Sequence, residues 1–574
     1  MLAHIKINNI EFLEETSLTI LQVAKKHGIK IPTLCYLKKE EANFEHKPAS
    51  CRVCLVEIKG RRALAPACAT YITDGMEIFT NNKRVRRERR IIVELLLSNH
   101  PHDCLICEKN GKCELQDLAY ELGIKQIAFT GPLSQENKYV EGRTIKRNAS
   151  KCVLCNRCTA ICEKVQSVGA ISASLRGYKT VISEAFDCVQ CGQCVQVCPT
   201  GALLQIDDVT NVERVLNDPN KYVVVHTAPA VRVSLGEEFG LKPGTDVTGK
   251  MVTALRMLGF KKVFDTNFGA DLTIMEEANE LVQRLKENKN LPLITSCCPG
   301  WINFIETQYP ELLNLPSSCK SPQEMFGAVC KTYFAEKEGI KKEDLVVVSL
   351  MPCIAKKQEA KREVMKLDDT NFETDYSLSA KEFAGMLRRF GIDLSTLEDG
   401  EFDSPLGEST GAATIFGNSG GVMEAAVRTA SLWVNGEAKD KLEFHGVFGQ
   451  PNTKETFVTL GEQTLHLCVV SGLANARKVL EDIKAGKNSY DAIEVMACPG
   501  GCVNGGGQPI DKNNNSAEVV ALRKEGLRTI DRNKSIRISC ENESIKKLYD
   551  EYLGEPGSEK AHHLLHTTYR NRRD

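Results

Sequence analysis

The stretch Glu494–Pro509, EVMACPGGCVNGGGQP, places Cys498 and Cys502 with three residues between them and glycines on both sides, directly after a short apolar run. Thiolate suits iron, and Gly500, Gly501 and Gly505 to Gly507 lack the Cβ that would hold backbone away from a cofactor. Two cysteines alone cannot hold a four-iron cluster. Two further stretches set cysteines at the ends of apolar runs: LITSCCPGW at Leu293–Trp301 and SLMPCIAKK at Ser349–Lys357.

The chain around these motifs has 574 residues, enough for several domains. Its 74 basic and 75 acidic side chains argue against a nucleic-acid-binding protein and leave electrostatic docking to local patches. No apolar run approaches membrane-spanning length, and the N-terminus, MLAHIKINNIEFLEE, lacks a basic-then-apolar signal, so a soluble, cytoplasmic protein is expected. Of 24 cysteines, 15 precede residue 200. Repeated CxxC spacings point to metal rather than disulfides. The N-terminal third is thus a cluster carrier, and the remainder does something else.

In chain order, His4–Ile7 and Ile10–Leu13 alternate around Asn8-Asn9, a hairpin signal, and Leu18–Lys26 reads as a short helix ending at Gly28. This suggests a β-grasp module over residues 1–80. Its Cys35, Cys51, Cys54 and Cys68 match the four sulfurs of a [2Fe-2S] cluster; zinc is the chemical alternative. KRVRRERR at Lys83–Arg90 runs into IIVELLL as one helix, whose basic start is either a solvated face or a docking patch for an acidic electron carrier. Cys104, Cys107 and Cys113 follow His100 and His102, either of which can complete a four-ligand [4Fe-4S] module over 81–126.

Gln126–Ser150 is polar and unpatterned and is expected to be a connector. Beyond it, Cys152, Cys155, Cys158 and Cys162, then Cys188, Cys191, Cys194 and Cys198, repeat C-x2-C-x2-C-x3-C, so 127–209 resembles a two-cluster bacterial ferredoxin. There the fourth cysteine of each run serves the other cluster: Cys198 would join Cys152, Cys155 and Cys158, and Cys162 would join Cys188, Cys191 and Cys194. The four clusters hold about 14 iron atoms. From Lys221 on, short apolar runs (Val223–Val225, Lys262–Phe264, Leu345–Leu350, Leu465–Val470, Ile493–Met496) alternate with helical stretches, which predicts an α/β domain with mostly parallel sheets. Several end in loops, His226–Ala230, Met351–Cys353 and Ala497-Cys498, that would converge beyond the strand ends.

With Thr295–Trp301, Met351–Lys357 and Glu494–Pro509 in view, the chain resembles the [FeFe]-hydrogenases of the long clostridial type, nearly end to end. The resemblance implies a multidomain α+β chain: β-grasp and ferredoxin-like modules, then an H-cluster domain at 210–574. It implies an oxidoreductase that interconverts H2 with two protons and two electrons. The H-cluster is a [4Fe-4S] cubane joined to a diiron subsite bearing CO, cyanide and a bridging azadithiolate. By motif, Cys298, Cys353, Cys498 and Cys502 look like the cubane ligands, Cys502 bridges, and Cys297 resembles the proton donor. Lys356 would hydrogen-bond a cyanide, with Ala228, Pro229, Gln323, Met351 and Met496 also about the cofactor, and His100 is selected over His102. Cys297, Glu277, Ser317, Glu280 and Arg284 form the implied proton relay. In the helix Thr273–Glu287, Ile274, Ala278, Leu281 and Leu285 make the core stripe and Glu277, Glu280 and Arg284 the adjoining face; the plain alternative is an exposed Glu280–Arg284 pair.

The resemblance also implies ferredoxin or a similar carrier as partner, and maturation proteins that build the diiron subsite. One departure is Ala230, where some relatives carry Ser. GNSGG at Gly417–Gly421 opens a helix as phosphate loops do, but fits nucleotide fingerprints poorly and is read as close packing. Cys319, Cys330, Cys468 and Cys540 are read as small core residues. The rivals are an electron-relay subunit of a respiratory dehydrogenase, an iron-sulfur assembly protein and a hydrogen sensor; the complete C-terminal cysteine set, Cys297 and Lys356 oppose the first two. The His-rich tail after Leu553 holds no recognisable signalling domain.

Overall fold

Asn8 and Asn9 both take the left-handed backbone conformation, at φ 51° and 70°, as a two-residue type I′ hairpin turn requires. They close strands Leu2–Ile7 and Ile10–Glu15, with Ile7 opposite Ile10. The computed structural model describes residues 1–184, 187–439, 442–447, 450, 452–487, 489–511 and 516–572. The hairpin joins Glu77–Phe79, Leu55–Ile58 and Ala65–Pro66 in a five-stranded sheet. Helix Ile20–Lys26, begun by a capping box between Thr19 and Gln22, packs Ile20 and Val23 with Ile5, Val56 and Ile78.

The basic run and its apolar continuation form one helix, Lys83–Ser98, with Val85 and Val93 turned inward. Arg89 is buried too, donating to the Leu55 carbonyl at 2.6 Å. The expectation of an unpatterned connector at 126–150 needs correction. Strands Tyr139–Glu141 and Ile145–Asn148 lie within it, and Ile145–Asn148 pairs with Leu203–Gln205. The sheet is narrow and partly solvated, so its residues show no apolar alternation, and its third strand comes from beyond both cysteine runs.

In the C-terminal part, strands Lys262–Asp265, Tyr222–Thr227, Leu345–Met351 and Tyr376–Ser379 make a wholly parallel sheet in that order. Every residue of Leu345–Met351 is buried, as a central parallel strand covered on both faces should be. Each fully buried Val or Leu there is worth roughly 1.5–3 kcal/mol. The second sheet departs from the parallel expectation. Leu293–Ile294, Ala492–Met496 and Gln463–Ser471 are parallel, but Thr453–Leu460 and His445–Gly446 extend it antiparallel.

The long helix starts earlier than its apolar stripe suggested, spanning Thr266–Glu287. Asp265 sets that start: its carboxylate accepts from Asn267 N at 3.0 Å and from Arg232 at 2.7 Å, both partners of the ion pair being buried. The C-terminal segment folds back over the domain. Helix Glu559–Leu565 buries Leu564 and Leu565 with Met325 and Val329, and Thr567 N donates to Ser318 O at 2.7 Å. Among the described residues no helix is long and apolar enough to cross a membrane.

Candidate active site

Four strands end at one place. Tyr222–Thr227 runs into Ala228-Pro229, Leu293–Ile294 into Cys297-Cys298, Leu345–Met351 into Cys353, and Ala492–Met496 into Cys498 and Cys502. These loops wall a cavity of about 80 Å³, several times the roughly 10–15 Å³ one water needs. Its lining includes those five cysteines and all six positions expected around the cofactor: Ala228, Pro229, Gln323, Met351, Lys356 and Met496. Gly501, at φ 102°, lets its loop close: a Cβ there would lie 2.6 Å from Ser419 N.

Burial, and then neighbouring thiols, push Cys353 up to about 11 and Cys498 well above the ordinary thiol range. Burial likewise raises Cys298 and Cys502. Four such sulfurs side by side are costly as free anions, and a bound metal cluster removes that cost. The donor set therefore fits an iron cluster. Lys356, on helix Ala355–Glu359, donates to Cys297 O at 3.2 Å and to Glu359 at 2.7 Å. Burial pulls its ammonium down, but Glu359 beside it more than offsets this and the net shift is upward, so a cation points into an apolar cavity. Burial, and then Lys356, drive His226 down to about 3. It stays neutral, stacked on Phe326 at 4.2 Å.

On the long helix, Glu277 is buried and its carboxyl is pushed up to about 8, by burial first and then by Glu280 and Glu494. Its Oε2 has no hydrogen-bond partner. One turn on, Glu280 accepts from Ser317 Oγ at 2.7 Å and from Arg284 at 2.6 Å. That pair is only 12% and 15% exposed, so it is not the solvated pair of the plain alternative. Arg284 also holds the Asn290, Leu315 and Pro316 carbonyls. Among the described residues no hydrogen bond joins Glu277 to Ser317 or Glu280, which divides the expected relay into an inner and an outer part.

Residues 221–506 match the family described as iron only hydrogenase large subunit, C-terminal domain, and 517–572 that described as iron hydrogenase small subunit. Over 564 residues, 96% of each chain, the sequence is 48% identical to the NADP-reducing hydrogenase subunit HndD of Solidesulfovibrio fructosivorans. It is 39% identical to iron hydrogenase 1 of Clostridium pasteurianum over 575 residues, 98% of this chain and 99% of that one. The chain belongs to the iron-only hydrogenases. A solved apo [FeFe]-hydrogenase HydA1 from Chlamydomonas reinhardtii superposes with a TM-score of 0.59 at 41% identity, covering 64% of this chain and 99% of that one. This hydrogenase is thus an oxidoreductase acting on H2, with accessory iron-sulfur domains. Residues 3–83 match a 2Fe-2S iron-sulfur cluster binding domain, 89–128 the NADH-ubiquinone oxidoreductase-G iron-sulfur binding region, and 138–202 a 4Fe-4S dicluster domain.

The accessory cysteines of this hydrogenase lie in groups. Cys35 lies beside Cys51 and Cys54 beside Cys68, and both Cys54 and Cys68 feel the charge of Cys35. His100 is buried with Nδ1 unpartnered, and burial pulls it down to about 4; His102 is exposed and bonds Leu97 O. After burial, Cys198 and Cys152 are among the neighbours raising Cys155, and Cys162 is among those raising Cys188 and Cys191, so the fourth cysteine of each run sits with the other run's three.

The same electrostatic neighbourhood links Cys191 to Cys353 and Cys498. Gln193 Nε2 donates to Cys498 Sγ at 3.3 Å, and Gln196 to the Gly505 carbonyl. A Cβ at Gly506 would lie 2.8 Å from Cys191 O. The second cysteine run therefore abuts the active-site loop.

Several residues here escaped the sequence reading. At the helix that GNSGG opens, Gly420 N and Met423 N donate to the buried Glu494 carboxyl group at 2.6 and 2.9 Å. Cys319 is buried as expected, yet its thiol lies 3.8 Å from Glu280. Ser318 Oγ bonds His566 Nδ1 at 2.8 Å, and His566 Nε2 bonds Glu276 at 3.0 Å. The His-rich tail was visible in the sequence, but nothing in it signalled return to residues so distant along the chain.

Proposed function

We propose that this hydrogenase interconverts H2 with protons and electrons in both directions, drawing its electrons from reduced ferredoxin through four accessory clusters. The reading divides the chain into 1–80 for one [2Fe-2S], 81–126 for a [4Fe-4S] on His100, Cys104, Cys107 and Cys113, 127–209 for two [4Fe-4S], and 210–574 for catalysis. The observation that carries it is a single cavity walled by Cys298, Cys353, Cys498 and Cys502, with a fifth cysteine, Cys297, beside them.

Cys298, Cys353, Cys498 and Cys502 would hold the H-cluster, Cys502 bridging to the diiron subsite. When bound, the cluster supplies the metal chemistry that makes and breaks the H–H bond. Lys356 offers a cation to an anionic cyanide, while Ala228, Pro229, Met351 and Met496 exclude water. Cys297 and Glu277 are both protonated at neutral pH by burial, as donors in a proton relay must be. Ser317, Glu280 and Arg284 continue that relay outward. The subsite would be installed by maturation proteins, and a cytoplasmic setting is proposed with them. The S. fructosivorans relative is NADP-reducing, which supports a second reading of the electron partner, in which another subunit exchanges electrons with a nicotinamide nucleotide as acceptor.

The test is the infrared spectrum of anaerobically purified protein made together with the maturation machinery. Metal-bound CO and cyanide bands are expected. Their absence from protein with full cubane iron and working maturation would overturn the H-cluster assignment.

A further inference from the structure

A cleft of about 660 Å³ opens where the second cysteine run meets the catalytic part, lined by Arg143, Arg362, Arg570, Arg572, Lys361 and Cys188 among others. Its charge is built rather than incidental. Arg362 and Arg572 are 7% and 13% exposed and share one fully buried carboxylate, Glu306, at 2.5 and 2.7 Å. Burial pulls Arg572 down, Glu306 pulls it up, and Arg362, Arg143 and Arg570 each pull it down again, so the Arg572 guanidinium feels three other arginines. Arg143 and Arg570 are exposed. Among the described residues neither side chain has an ion-pair or hydrogen-bond partner. Of the acidic residues on the wall, Glu363 is already paired with Lys366, which leaves Asp187 against this excess.

In a chain of net charge −1, such a concentration calls for an anionic occupant, and Cys188 on the wall says which kind. Cys188 has Cys162 beside it, and Cys191 and Cys194 both feel Cys188 and Cys162; Cys191 of this set abuts the active-site loop. An electron placed here is one cluster from the active site. The basic helix Lys83–Ser98 is less free: Arg84 pairs with Glu57, Arg90 with Glu94, and Arg89 is buried. We propose that the arginine cleft is a second electron port, at which an acidic one-electron carrier protein docks and exchanges electrons directly with the cluster nearest the active site. Each reduced carrier gives up one electron and leaves oxidised. Two such encounters with two protons give one H2, and the reverse sequence consumes it. The proposal rests on the ferredoxin-donor reading above. Opposite charge across the contact steers encounter and weakens as salt screens it.

The experiment compares H2 evolution by full-length, fully loaded enzyme driven by reduced ferredoxin and by reduced methyl viologen. It uses the unmodified protein, R143E/R570E, the milder R143Q/R570Q, and R86E/R87E/R90E in the N-terminal helix. At limiting ferredoxin and low salt, the ferredoxin-to-viologen ratio is expected to fall about tenfold in R143E/R570E and by less in R143Q/R570Q. The deficit should shrink as salt rises. An unchanged ratio in both Arg143/Arg570 pairs, with a loss in R86E/R87E/R90E, would overturn the second port and leave the donor reading standing. Failure of ferredoxin to drive the unmodified enzyme would overturn both. A cleft that binds inorganic pyrophosphate, with ferredoxin kinetics indifferent to R143E/R570E, would be a small-anion site, and the proposal would fall.

Discussion

Glu277→Gln should make this enzyme more stable and nearly inactive at once. The Glu277 carboxyl is raised from its ordinary 4.5 to about 8 by burial and by neighbouring carboxylates. The unfolded chain therefore releases this proton at lower pH than the folded chain. Stability from this site is fully present below the unfolded pKa and declines by about 1.4 kcal/mol per pH unit until the folded pKa is passed. Gln resembles the protonated acid and has no such decline. At neutral pH the variant gains up to about 3 kcal/mol. For the unit 210–574, at roughly 2 cal/mol/K per residue, that is about 4 °C in Tm. Loss of a relay group should cost about 100-fold or more in viologen-driven kcat. Scanning calorimetry of parent and variant from about pH 5 to about pH 8 should show a Tm gap that opens with pH. A gap that stays constant would refute a neutral Glu277, and an undiminished kcat would refute its part in the relay.

Cys297→Ala should abolish turnover with iron content unchanged; activity close to the parent's would remove Cys297 from the relay. His100→Ala should cost about four iron atoms per chain while His102→Ala costs none, read by iron analysis and the EPR of the reduced protein. Gln193→Leu removes the 3.3 Å hydrogen bond to Cys498 Sγ. Because that bond favours the electron-rich cluster, the cubane potential should become more negative in a redox titration, and a shift to more positive values would contradict the contact.

The cysteine spacings, the Asn8-Asn9 hairpin and the parallel pairing of most C-terminal strands were legible because each rests on a few neighbouring residues and a fixed period. The start of the long helix at Thr266 was missed because Asp265, its cap, sits at the end of a strand and Gly269 interrupts the helical pattern. The strands Tyr139–Glu141 and Ile145–Asn148 were missed because a strand in a solvated sheet is defined by its partner, and Leu203–Gln205 lies far along the chain. At the site, the Cys498–Cys502 spacing and cysteines at the ends of apolar runs singled out every cavity cysteine, and the family resemblance supplied their roles. Gln193, Glu494 and His566 escaped because a glutamine, a glutamate and a tail histidine have many ordinary uses, and only the folded chain shows which groups they meet.

The join at Gln193 and Gln196 bears on how chains of this kind grow and shrink. The Chlamydomonas relative answers to 64% of this chain with almost its entire length, so a comparable core exists on its own. Here Gln166, Gln193 and Gln196 supply hydrogens to Ala497 O, Cys498 Sγ, Asn504 O and Gly505 O. Cutting the accessory segment away would bare those acceptors and open the Cys498 sulfur to solvent. Fusion or loss of the accessory modules during evolution therefore had to be accompanied by rewriting of the Ala497–Gly505 loop or by water taking the place of the glutamines.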